Sequence, residues 1–170
     1  EEINECFNEY FILFKPKDIV SGDFFWVSKQ DQYSYVAVAD CTGHGVPGAF
    51  MSMLGMALLN DIINDHDAPS PAQILDKLRD RIIAELSQSM QDSDSRDGLD
   101  ISLVKLNRDT LELNWAGANN PLWIVKDDEV EILSADSQPI GQYVKMQPFT
   151  NHKSQLSKGD SIYLFSDGFA

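Results

Sequence analysis

The chain has 170 residues, 43% of them hydrophobic, and a formal net charge of −14 with a sequence pI near 4.3. That length fits one domain with a sizeable core, and the acidic excess excludes nucleic acid or an anionic membrane as the main partner. The two cysteines, Cys6 and Cys41, make no metal or redox spacing, which points to a reducing, cytoplasmic setting. No signal peptide, lipidation motif or transmembrane run is read, so no membrane contact is expected.

Residues 1–9 are polar and read as a linker or the end of an upstream segment; the domain itself runs over 10–170. Glu9–Phe14 is a strand candidate, closed by a turn at Lys15-Pro16-Lys17-Asp18. Gly22–Ser28 and Tyr33–Ala39 form a hairpin joined by the polar Lys29–Gln32. From Val46 to Asp65 the period becomes helical: Pro47 suits the first turn, and Phe50, Met53, Leu54, Ala57, Leu58 and Ile62, with Asp61 at the margin, predict the inward stripe. Met51, Met53 and Met56 read as core filling. Ser70 is a good N-cap for a second helix with Ile74, Leu75, Leu78, Ile82, Ile83 and Leu86 inward, and the polar residues 88–98 predict a mobile loop. Strands are then expected over Ile101–Leu106, Leu111–Ala116, Leu122–Val125, Val130–Leu133, Met146–Asn151 and Ser161–Phe165, separated by turn residues. The pattern is α+β, with antiparallel sheets and helices outside them.

The stretch from Tyr35 to Phe50 carries the chemistry. An apolar strand, Tyr35–Ala39, stops on Asp40, followed by Cys41-Thr42-Gly43-His44-Gly45. An acid at the end of a buried strand needs a cation or several donors. No lysine or arginine lies between Lys29 and Lys77, so a metal ion is the expected partner. The pattern recurs: Asp167 ends the apolar run Tyr163–Phe165, Asp23 precedes Phe24-Phe25-Trp26, and Asp100 opens Ile101–Val104. Acids at strand edges suit a site for hard divalent cations.

Five segments in order, Ser21-Gly22-Asp23-Phe24-Phe25, Val38–Gly45, Leu99-Asp100-Ile101-Ser102, Ala116–Pro121 and Phe165-Ser166-Asp167-Gly168, resemble the metal-dependent protein phosphatases of the bacterial sporulation stage II protein E type, within the protein phosphatase 2C-like group. The resemblance runs from about Tyr10 to the last residue. It implies a four-layer αββα sandwich with a centre of two Mn²⁺ or Mg²⁺ ions. It also implies that Asp40 bridges the ions, that the Cys41 carbonyl reaches one and Asp167 the other, that Asp23 acts directly or through water, and that Asp100 lies near the site. The implied activity is hydrolysis of phosphoserine or phosphothreonine on a protein, such as a phosphorylated anti-sigma-factor antagonist. An upstream sensor or receiver domain would accompany it.

The chemistry agrees: ion-bound water supplies a nucleophile, and the sequence offers no protein nucleophile and no P-loop lysine after Gly43–Gly48. His44 has two readings, a proton donor to the leaving seryl oxygen or a turn residue, and Asn119 and Asn120 read as turn residues. Where family members continue with a helix and a last strand bearing a metal-binding Asp, this chain stops at Ala170. The expectation is therefore a domain lacking those elements, with the strands ending at Asp40 and Asp167 side by side and one edge open to homodimer formation. Two other functions compete with phosphoserine hydrolysis: a non-catalytic regulatory domain of the same fold, and a hydrolase of nucleotides, which the missing basic cradle disfavours.

Overall fold

The expected hairpin forms and starts the larger of two antiparallel sheets. The computed structural model describes residues 2–16, 19–43, 45–64, 69–89 and 98–169. After a short helix α1 (Glu2–Cys6), strands β1 (Phe24–Gln30) and β2 (Tyr33–Cys41) pair from Phe24↔Ala39 to Gln30↔Tyr33, leaving Asp31 and Gln32 as a two-residue turn. Helices α2 (Val46–Asn64) and α3 (Pro71–Ser89) follow. Strands β3 (Gly98–Asn107) and β4 (Glu112–Ala118) come next, then β5 (Leu122–Lys126), β6 (Glu129–Leu133), the short β7 (Ile140–Gly141), β8 (His152–Gln155) and β9 (Ser161–Tyr163). One sheet runs β1-β2-β3-β4-β8, with β7 pairing the start of β3; the other runs β6-β5-β9.

Period-two alternation divides the core in two. Leu99, Ile101 and Leu103 of β3, with Ala116 and Ala118 of β4, pack against α2 and α3. Val104, Leu106, Leu113 and Trp115 point the other way, onto Leu122 and Ile124 of the smaller sheet. The Trp115 Nε1–H donates to Ser102 Oγ at 2.8 Å, which satisfies both polar groups in that interface. The class is the α+β expected, stacked as helices, large sheet and small sheet among the described residues.

Helix α3 is as expected. Ser70 and Gln73 make a reciprocal cap, the Ser70 N–H donating to Gln73 Oε1 at 2.9 Å and the Gln73 N–H to Ser70 Oγ at 3.4 Å. Helix α2 departs from expectation: its buried residues are Gly48, Met51, Ser52, Gly55, Leu58, Leu59, Ile62 and Ile63, while Phe50 is 68% and Met53 65% exposed. The helix is apolar nearly all round, so two stripes have helical spacing, and the glycines choose between them. Gly55 lies against Phe24 and Leu99, and Gly48 against Gly22 and Gly43. The same composition makes α2 long and apolar enough to cross a membrane by length and hydropathy, which amends the reading that no such run exists. Here its inward stripe lies on the sheet.

Two expected strands are absent. Tyr10–Phe14 is exposed and unpaired in any ladder, although Phe11 meets the Tyr163 ring and Phe14 the Phe25 ring. Residues 146–151 form no strand, because Gln138 and Arg79 take the backbone there: Gln147 N–H donates to Gln138 Oε1 at 2.9 Å, and Arg79 Nη1 donates to Gln147 O at 2.8 Å. The ladder starts one residue later, at His152. The strands bearing Asp40 and Asp167 do not lie side by side either. β2 is central in the large sheet, whereas β9 is at an edge of the small one. The end of the first helix at Asp65, Lys17 and Asp18 of the early turn, and residues 90–97 of the loop expected to be mobile lie outside the described residues.

Candidate active site

The antiparallel ladder assembles the acids. Asp40 of β2 stands directly opposite Asp100 of β3, and Asp23, one residue before the Phe24↔Ala39 pair that opens β1, comes level with Asp40 on the other side. Because Ala39 and Cys41 are buried on the helix side, alternation turns Asp40 to the other face, where the small sheet packs. Asp167 arrives from that sheet, opening a 3-10 turn (Asp167–Phe169) just after β9. The edge-on contact of Phe165 with Trp123, ring centres 4.9 Å apart, holds this approach.

The carboxyls then meet. Asp40 shares hydrogen bonds with both Asp23 and Asp167, and its pKa is pushed up to about 7, first by burial and then by the charges and hydrogen bonds of Asp23 and Asp167. Among the described residues, none of the influences on Asp40 is a basic group. Ser166 Oγ donates to Asp23 Oδ2 at 3.0 Å, and Asn119 Nδ2 donates to Asp100 Oδ1 at 2.8 Å. Asp100 is also shifted upward, by burial first; the Asn119 hydrogen bond opposes the shift and the Asp167 charge adds to it.

The turn after Asp40 needs its glycines. Gly43 and Gly45 have φ of +93° and +68°, the left-handed region that costs other residues strain. A Cβ on Gly22 would stand 3.0 Å from both the Cys41 and the Gly43 carbonyl oxygens. The Cys41 carbonyl thus lies beside the backbone that leads to Asp23. Its thiol is elsewhere, buried on the helix side and pushed up to about 12 by burial, then by Asp40 and Asp23. That state suits a core residue and not a nucleophile. His44 lies outside the described residues.

Asp23, Asp40, Asp100 and Asp167 are therefore brought to one end of the sandwich. Two residues of the site escaped the sequence reading as contributors. Ser166 is one; its signal was adjacency to Asp167. Asn119 is the other: it is the turn residue expected, with φ +59°, and its side chain also orients Asp100.

In kind, these donors fit a hard divalent cation. They are all oxygen and carry like charge when ionised, and Asp40 meets Asp23 and Asp167 among them. Among the described residues, no group of three or more His, Cys, Asp or Glu side chains already stands in position to hold an ion.

The family model of Stage II sporulation protein E (SpoIIE) matches residues 30–170. Phosphoserine phosphatase RsbU of Bacillus subtilis (strain 168) is 29% identical over 159 residues, covering 90% of this chain and 44% of RsbU. The SiaA-PP2C domain of Pseudomonas aeruginosa is 33% identical with a TM-score of 0.80, over 94% of this chain and 61% of that one. RsbX in complex with magnesium, 18% identical, shares the fold with a TM-score of 0.69 over 93% of this chain and 72% of that one. The chain thus spans less than half of RsbU and about three-fifths of the SiaA chain. With five motifs in order, the acids gathered at one end and the family model matched from the first hairpin onward, the chain belongs to the Stage II sporulation protein E family.

Proposed function

We propose that this chain is the core of a metal-dependent protein phosphatase that removes phosphate from phosphoserine or phosphothreonine on a bacterial regulatory protein, such as an anti-sigma-factor antagonist. The observation that carries the reading is the meeting of Asp40 with Asp23 and Asp167, with no basic group of the described residues among the influences on Asp40. Similarity to a phosphoserine phosphatase over 90% of this chain supports the substrate class. Two Mn²⁺ or Mg²⁺ ions held there would supply an activated water and neutralise charge on the phosphoryl oxygens.

The residues' own work follows from their places. Asp40, central among the acids, would reach both ions, with the Cys41 carbonyl at one and Asp167 at the other; Asp23 would act directly or through water, and Asp100 from nearby. Ser166 and Asn119 fix the oxygens of Asp23 and Asp100. His44 competes for two roles, proton donor to the seryl oxygen or turn residue. A substrate whose leaving group needs no proton separates them: His44→Ala then keeps its rate on that substrate in the first case and loses equally on both substrates in the second. The protein is assigned to the cytoplasm, with an upstream sensor or receiver domain as its input and homodimer formation as a further expectation.

The test is phosphate release from a phosphoserine protein by the full-length protein, with Mn²⁺ and with chelator. Release that stops in chelator is the expected result. No release under any metal supports the competing reading, a non-catalytic domain that binds a partner; the absence of a preformed three-donor group among the described residues is the observation in that reading's favour.

A further inference from the structure

The donor that orients Asp100 comes from an exposed turn. Asn119 has φ +59°, in the left-handed region that asparagine tolerates, and its Nδ2 is spent on Asp100 at 2.8 Å. Where that amide points depends on where the backbone of residue 119 stands. The hold on that backbone has to come from neighbours of the turn.

Residue 136 supplies it. Asn119 N–H donates to the Asp136 carbonyl at 2.9 Å, and Asp136 N–H donates to the Gly117 carbonyl at 3.0 Å. These two bonds make an isolated parallel bridge between Ala118, the last residue of β4, and Asp136. The approach is close: a Cβ on Gly117 would stand 2.5 Å from the Asn120 carbonyl oxygen and 2.9 Å from the Ala135 Cβ. A bridge of two bonds has no ladder to share its stability and opens readily unless anchored.

The Asp136 side chain is that anchor. It is half-buried and uses both carboxylate oxygens on one residue: Thr150 N–H donates to Oδ2 at 2.7 Å, and Thr150 Oγ1 donates to Oδ1 at 3.0 Å. Such charge-assisted bonds are among the stronger ones. Thr150 is itself well placed. Phe149 before it is 6% exposed against the Arg79 guanidinium, and β8 begins two residues after it, where His152 stands opposite Trp115. The carboxylate therefore ties the end of β4 to the entry of β8. An apolar residue at 136 could keep the backbone bridge but would lose the tie.

We infer that Asp136 is a positioning residue for the acid site. Its carboxylate fixes residue 136 to Thr150, its backbone fixes Asn119, and the Asn119 amide fixes the Asp100 carboxylate. Without the tie the turn opens, and Asp100 loses its orienting donor although its own strand is unchanged. These contacts are made by the chain alone; only their consequence for metal binding rests on the proposed reading of Asp100. Outer partners of this kind commonly carry about ten- to a hundredfold of a site's metal affinity. Asp100 would act from nearby, so the lower figure is expected.

The test follows the Asn119 side-chain amide by NMR in metal-free full-length protein, its signals assigned by their loss in Asn119→Ala. In Asp136→Ala they should shift toward free-amide values and exchange with solvent at least about tenfold faster. Mn²⁺ affinity, measured by calorimetry, should fall about tenfold in Asp136→Ala and in Asn119→Ala, with the double variant within about twofold of Asn119→Ala. Asp136→Asn can still accept from the Thr150 N–H and can donate to Thr150 Oγ1. It should therefore keep the parent's amide signals and affinity, whereas an effect of charge alone would change the affinity. If Asp136→Ala does not fold, Thr150→Val decides: it removes one of the two bonds and should shift the Asn119 signals the same way by less. The inference is overturned if those signals stay in place in the deciding variant, if the two losses of affinity add, or if Asp136→Asn behaves as Asp136→Ala does. A parent that binds no Mn²⁺ overturns the proposed metal site instead, and the amide signals still decide the role of Asp136.

Discussion

One ladder carries two cross-strand pairs that treat charge in opposite ways. Where β2 meets β3, Tyr35 stands opposite Lys105 at one end and Asp40 opposite Asp100 at the other. At the first, the fold partners its buried ammonium with the Tyr33 ring and the Pro69 carbonyl. At the second it sets like charges against each other, which is destabilising in a sheet, and brings Asp23 and Asp167 to the same place. Among the described residues, neutral donors reach Asp23 and Asp100 from Ser166 and Asn119, but no cation stands with the acids. The difference sharpens the proposal: among the described residues the acid end holds no cationic partner, and a divalent cation would meet that need.

The largest effect expected is at Asp40. Asp40→Asn keeps the shape and removes the charge, so the full-length protein should lose about a thousandfold or more in phosphate release. Mn²⁺ binding, measured calorimetrically, should weaken with it, while circular dichroism stays unchanged. Full activity in the Asn variant would remove the contrast between the two ends, since Asp40 would then be no more than a tolerated acid.

The helix side of the same sheet behaves as plain core, which sets the scale for the acid end. Met51 is 6% exposed against the sheet, and Met51→Ala should cost about 2–3 kcal/mol in urea unfolding. Met53, on the outward stripe, should change stability by less than about 0.5 kcal/mol when made Ala. Equal costs would mean that α2 presents a different face from the one described.

This pair of methionines also shows how far the sequence could be read. Helix α3 was legible because its apolar residues form one stripe and Ser70 and Gln73 mark its start. In α2 nearly every position is apolar, so periodicity alone could not pick a face; the deciding residues are Gly48 and Gly55, whose missing side chains let the sheet approach. The acids were legible as a set because each ends or opens an apolar run. Their pairing across the ladder, and Asn119 and Ser166 as their orienting donors, depend on register and on contacts between residues up to 143 positions apart, which local patterns do not carry. Tyr10–Phe14 has the composition of a strand and no partner in any ladder, and a strand exists only in a ladder.

Next in size is the turn that hands Asp40 on to α2. A Cβ on Gly48 would stand 2.6 Å from the Gly43 carbonyl oxygen and 3.1 Å from Gly22 Cα, both backbone. Gly48→Ala should therefore cost about 1–3 kcal/mol and weaken Mn²⁺ binding, because the displaced backbone leads to Cys41 and Asp23. At Gly55 the neighbours are the Phe24 ring at 3.2 Å and a Leu99 methyl at 3.3 Å, which can yield. Gly55→Ala should cost under about 1 kcal/mol, with part of that returned by helix propensity. If both variants bind metal normally, the turn does not position the site.

The smallest effect is the most direct reading of the two ends. The Asp40 pKa rises from 3.8 to about 7, through burial first and then through Asp23 and Asp167, so the metal-free folded protein keeps a proton that the unfolded chain releases. A folded-state pKa above the unfolded one gives stability that is present below the unfolded value and is lost as pH rises toward the folded one. Metal-free protein should therefore lose the Asp40 share of its stability between about pH 4 and about pH 7, and no more of it above. Asp100, shifted the same way, adds the same sign. Asp40→Asn cannot ionise, so its urea midpoint should fall less across this window than the parent's, and the difference between the two curves reports Asp40 together with its coupling to Asp23 and Asp167. On the proposed reading Mn²⁺ would take the place of the proton, so loaded protein should also lose less with rising pH. Lys105→Met, at the other end of the ladder, should leave the slope as it is. A parent and an Asp40→Asn variant with parallel curves would mean that the acid end carries no unmet charge, and the contrast with the lysine end would be gone.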